Sequence, residues 1–100
     1  MNHLMNHENF SQYLNEAFTL HTGNSELQLK LIAVDELSSD QHYEEERKPF
    51  ALLFHAQSDP GLPQQMYSLK QEKMGSLDMF LVPVGPDRKM GGMRFEAIFN

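Results

Sequence analysis

Five histidines, fourteen carboxylates and a pair of basic residues bracketed by glycines are the side chains here that could do chemistry. His3 and His7 stand four residues apart, which puts two imidazoles on one helical face and can begin a metal site. Only Glu8 lies near as a third ligand, and protein zinc sites need three or four, so no metal is expected. His21 falls at a turn, His42 in an acidic stretch, and His55 at the end of an apolar run. Cysteine is absent, and no serine sits inside a recognisable nucleophile motif, so no nucleophile–base pairing emerges. Asp78 and Glu96 lie on neighbouring strand-forming runs, where two carboxylates can divide acid and base roles. Glu96 alternates with Arg94, however, and alternating charge is what a solvated sheet face requires. The patterns therefore supply no catalytic residue and no cofactor.

Gly85, Gly91 and Gly92 flank Arg88 and Lys89. A phosphate cradle runs from its glycines into a helix N-terminus, whereas here a strand pattern follows. Turn geometry is the simpler role for these glycines, with Asp87 capping its own backbone. Met79 and Met93 fall in phase with apolar neighbours and read as core filling. Met90, beside Gly91, has no apolar face to join and is the best candidate for an exposed contact. Arg88 and Arg94 flank it as the other candidate partner contacts. Were the domain instead a ligand-binding or catalytic barrel with a pocket between helix and sheet, His55, Tyr67 and Glu96 would be the residues to line it.

The elements that must position these residues are mostly strands. Residues 1–6 look frayed. From His7 to about Asn15, Phe10, Tyr13, Leu14 and Ala17 recur at helical spacing, with Asn9 and Gln12 as a capping box and Asn6 as a rival cap. So short a helix must dock on the sheet to persist. Residues 18–36 read as a hairpin about the turn Thr22-Gly23-Asn24-Ser25, in preference to a helix continued through Leu20. Leu27, Leu29, Leu31 and Ala33 share a face, and the change of phase at Ile32 and Val34 marks a bulge or a strand covered on both sides. Residues 35–48 are acidic and polar, with 38–48 a surface loop.

Phe50-Ala51-Leu52-Leu53-Phe54 is apolar on both faces and suits the sheet centre. After the turn-rich Ser58-Asp59-Pro60-Gly61, a short strand over 65–70 points Tyr67 and Leu69 inward. Residues 77–85 and 93–99 form the closing hairpin, with Pro83 at an edge or bulge. The last run places Met93, Phe95, Ala97 and Phe99 on one face and Arg94 and Glu96 on the other.

One hundred residues make a single domain. A net charge of −6 argues against nucleic acid, whose phosphates need clustered bases, and against anionic membrane surfaces. The missing cysteines suit a reducing compartment. No signal peptide or membrane-spanning run is visible, so the cytoplasm is the default, with non-classical export left open.

Four stretches together resemble a family of small bacterial domains of unknown function. They are Arg47-Lys48-Pro49-Phe50-Ala51-Leu52-Leu53-Phe54, Leu62-Pro63-Gln64-Gln65-Met66-Tyr67, Met74 through Asp87, and Met93-Arg94-Phe95-Glu96-Ala97-Ile98-Phe99-Asn100. The resemblance spans nearly the whole chain and implies a stand-alone domain, in some cases encoded near phage-tail-like genes. It implies no activity and no catalytic residue.

The expected fold is mainly β with one N-terminal helix (α+β), a strongly curved antiparallel sheet or partly open barrel of about six strands. The expected function is a non-enzymatic interaction or assembly module with a protein partner. A final strand over 94–99 with a free edge would also allow a symmetric dimer.

Overall fold

The computed structural model describes residues 7–23, 25–37 and 49–99. They form a short helix, α1 (His7–Ser11), and six antiparallel strands: β1 (Ala17–Thr22), β2 (Ser25–Glu36), β3 (Phe50–Ala56), β4 (Gln65–Gln71), β5 (Gly75–Pro86) and β6 (Met93–Phe99). The order β1-β2-β3-β6-β5-β4 closes into a barrel, β4 returning to β1 through Thr19 opposite Lys70 and Leu20 opposite Leu69.

Alternation explains the interior. β4 buries Tyr67, Leu69 and Gln71 and exposes the residues between them. β5 does the same with Leu77, Met79 and Leu81, while β1 buries Phe18 and Leu20 and β6 buries Phe95 and Ala97 about the half-buried Thr19 and Glu96. β3 contributes Phe50, Leu52, Phe54 and Ala56. A barrel of so few strands has a lumen that side chains fill, so each strand supplies one inward row to a single apolar core.

The two longest strands, twelve residues each, are both interrupted by a bulge. In β2 the register shifts between Leu31 and Ala33, after which Val34 opposite Leu52 packs on the core. In β5 it shifts between Pro83 and Gly85, where proline has no N–H to give the ladder. β3 is covered on its outer face as well: Ala51 and His55 are buried there.

Two expectations need correcting. The helix is shorter than 7–15, ending at Ser11, with turns to Asn15. Asn15 sits at φ 73°, a left-handed conformation that stops a helix, and its N–H donates to the Leu31 carbonyl at 2.7 Å. The free edge expected at 94–99 is also absent over Arg94–Glu96. β6 lies between two strands, pairing along its length with β3 and over Met93–Glu96 with β5. Closure makes β6 an interior strand rather than a terminal one. The expected frayed segment 1–6 and acidic loop 38–48 lie outside the described residues. Among the described residues no helix is long and apolar enough to cross a membrane.

The helix is held by one ring. Phe10 is fully buried, with ring centroids 5.9 Å from Phe50, 5.8 Å from Phe99 and 6.5 Å from Phe18. Phe10→Ala is expected to cost about 3–5 kcal/mol in a urea unfolding titration, a large share of the ~5–15 kcal/mol a domain possesses. Leu14→Ser, at an exposed position one turn on, should change it by no more than about 0.5 kcal/mol. Equal effects from the two variants would show that α1 does not belong to the core.

Candidate functional site

Between β5 and β6 the chain must reverse, and residues 87–92 do so in a conformation fixed from several directions. The Asp87 carboxylate accepts from the backbone N–H of Lys89 at 2.9 Å and of Met90 at 2.8 Å. The Asp87 carbonyl accepts from Gly91 N–H at 2.8 Å, and Asp87 N–H donates to the Gly92 carbonyl at 3.1 Å. Gly91 and Gly92 follow each other at φ 77° and 75°, a pairing that side-chain-bearing residues rarely adopt. Gly92 also presses on the end of β3, where an added Cβ would stand 2.8 Å from both the carbonyl carbon and oxygen of Gln57.

His55 supplies the remaining anchor. It projects from the outer face of β3 under the loop, and its Nε2 lies 2.7 Å from the Gly91 carbonyl oxygen. A carbonyl only accepts, so Nε2 carries the proton and donates. The hydrogen bonds from Met90 and Lys89 hold the Asp87 carboxyl below its ordinary 3.8, against a smaller opposing desolvation, and the charges of His55 and Arg94 add to the lowering.

This clamp presents Arg88, Lys89 and Met90 to solvent at the loop tip, Met90 being 56% exposed. Arg94, the third expected contact, is half-buried at the loop's foot beside His55, its register partner. Its Nε is buried and has no hydrogen-bond partner among the described residues. The structure thus gathers Arg88, Met90 and Arg94 about one loop, a basic corner on an acidic chain.

The three residues proposed for a pocket are not brought together. Tyr67 points into the barrel, donates its hydroxyl to the Pro63 carbonyl at 2.6 Å, and has its phenol pushed above 10.0 by burial. His55 and Glu96 face outward on neighbouring strands. The space between helix and sheet, where that pocket was expected, holds the Phe10 ring. Asp78 is likewise no partner for Glu96. Glu96 lies opposite Val82, leaving Asp78 four residues along β5, about 13 Å at the usual rise per strand residue. Among the described residues no three histidine, aspartate or glutamate side chains gather as a metal site would require.

One surface escaped the sequence reasoning. Met66, Phe80 and Ile98 stand exposed on the outer wall. The signal was their phase, since each falls in step with the polar residues of its strand rather than with the core.

A family model for a domain of unknown function matches residues 5–99. No curated protein and no solved structure matches the chain significantly.

Because the folded Asp87 carboxyl is depressed, its contribution to loop order is complete above 3.8 and is lost as pH falls through the lower folded value. Amide exchange should therefore show Lys89 and Met90 protected at mildly acidic pH and released only below it. Asp87→Ala should expose both amides at every pH, while Asp59→Ala, which removes the similar bond to Gly61 N–H, should leave them unchanged. Identical exchange in Asp87→Ala and wild type would show that the carboxylate is not the clamp.

Proposed function

The chain belongs to the family described as Domain of unknown function (DUF6916), and we propose that it works as a non-enzymatic interaction or assembly module whose contact is the 87–92 loop. The observation that supports this is an exposed methionine on a loop that five hydrogen bonds and a close backbone approach hold in place. Ordering backbone costs about 1–2 kcal/mol per residue. A loop already ordered in the free protein spares a complex that cost, which is how preorganised contacts gain affinity. Met90 suits such a contact, since an unbranched thioether adapts to the surface it meets. Arg88 beside it is one of the residue types enriched at interface hot spots. The setting of such a contact, a phage-tail-like or surface-fibre assembly, rests on the resemblance of the sequence alone.

A photoreactive phenylalanine analogue placed at position 90, with a control at the exposed Glu26 on the β1–β2 hairpin, tests the reading in native cells. Irradiation should give a discrete protein adduct from position 90 that Arg88→Glu abolishes and position 26 does not reproduce. Mass spectrometry of the adduct then reads whether the partner is a tail or fibre component. No adduct, or the same adducts from both positions, would reject the loop as the contact.

A further inference from the structure

Met66, Phe80 and Ile98 are 61%, 45% and 54% exposed, on the outward faces of three successive strands. Met66 and Phe80 are direct register partners. Phe80 and Ile98 each stand one pleat beyond the paired Val82 and Glu96, at the next outward position of β5 and of β6. Directly paired neighbours such as Met66 and Phe80 lie about 5 Å apart, and Ile98 stands on the adjoining strand of the same outer wall, just past the last β5–β6 pair. The barrel has no internal use for them, because Tyr67, Met79, Leu81 and Ala97 already fill the core beneath. Their positions are ones where the same strands otherwise carry Ser68, Lys70, Asp78, Arg94 and Glu96.

Among the described residues, the charges that directly flank the stripe are acidic. Asp78 precedes Phe80 on the outer face of β5, and Glu96 precedes Ile98 on β6. On the far side of Ile98 the row continues through Ala51 on β3 to Asp35 on β2. The nearest bases along the same strands, Lys70 and Arg94, are each four residues from Met66 and Ile98, about 13 Å away.

We propose that this wall is a docking surface for a partner protein whose contact patch is apolar at its centre and ringed by lysine or arginine. Charge complementarity selects that occupant over a second copy of the chain. Two copies meeting here would set Asp35, Asp78 and Glu96 against the same three carboxylates, and like charges facing each other across an interface are strongly unfavourable. The assignment does not depend on the 87–92 loop, which adjoins the opposite end of β6.

Two short amphipathic peptides with the same leucine face, one carrying lysine and the other glutamate, are the probes. In an NMR titration of the full chain, the lysine peptide should saturably shift the amides of Met66, Phe80 and Ile98, and the glutamate peptide should not. Phe80→Ser and Ile98→Ser should each weaken binding roughly ten- to a hundred-fold, as expected for losing one buried large apolar side chain. Both positions are exposed, and an unchanged core spectrum certifies each variant as folded. The pair Asp78→Asn with Glu96→Gln should weaken binding and flatten its salt dependence. Equal binding of both peptides, shifts elsewhere, or no binding would overturn the proposal. So would wild-type self-association, or binding to phosphatidylcholine vesicles, that Phe80→Ser abolishes, since these assign the wall to a second copy or to lipid.

Discussion

Closing six strands into a ring fixes a lumen of limited width, and the rest of the fold follows from filling it. Each strand gives alternate residues to the interior, but not every inward position can hold the same volume. The rings gather toward the helix end, where Phe50 and Phe99 stack at 4.9 Å and Phe18 meets Phe54 edge-on at 5.3 Å. Phe10 is added to that cluster from outside the sheet, so the five-residue helix serves mainly as the carrier of one ring. Small Ala56 and Ala97 occupy inward positions on β3 and β6, where β-branched or aromatic side chains would crowd the lumen. The bulges in β2 and β5 belong to the same constraint, because long strands can follow a tight ring only where an extra residue adds bend and twist.

An apolar lumen leaves polar side chains two places, the outer wall and the rims. Gln71 and His55 are the buried polar residues among those described, and each is bonded to backbone of a turn. The Gln71 side-chain oxygen accepts from the N–H of Lys73 at 2.7 Å and Met74 at 2.9 Å, closing the β4–β5 hairpin. His55 closes the β5–β6 loop. Polar burial here follows from hydrogen-bonding demand at chain reversals.

Much of this was readable in the residue order, wherever the governing interaction is local. The inward phase of Tyr67 and Leu69, the change of phase near Ile32, the irregularity at Pro83 and the Asp87 cap all depend on neighbours within a few positions. Ring closure was not readable, because the β1–β4 and β3–β6 pairings join strands distant in sequence and no local pattern encodes their register. The expected free edge is occupied over 94–96 for that reason. The anchoring of Gly91 by His55, 36 residues away, was hidden in the same way. Met90 was legible as exposed because no apolar periodicity claimed it. The wall of Met66, Phe80 and Ile98 became visible only once strand order placed its three members on adjoining strands.

The two clamped turns sharpen the reading of the outside. In both, an acceptor side chain at the start of the turn binds the N–H groups two and three residues on, and in both the third residue is methionine. Gln71 turns Met74 into the core. Asp87 holds Met90 out in water. The same local device has opposite consequences, so the exposure of Met90 is not dictated by turn geometry or by residue type. It follows from where the loop lies, folded back over β3 by His55 and Gly92 so that its tip points away from the lumen. A chain that needed only to connect β5 to β6 could do so with a polar tip and without two consecutive glycines in left-handed conformations. The tip's position is thus set by the foot of the loop, where two left-handed glycines let the chain fold back closely over the end of β3.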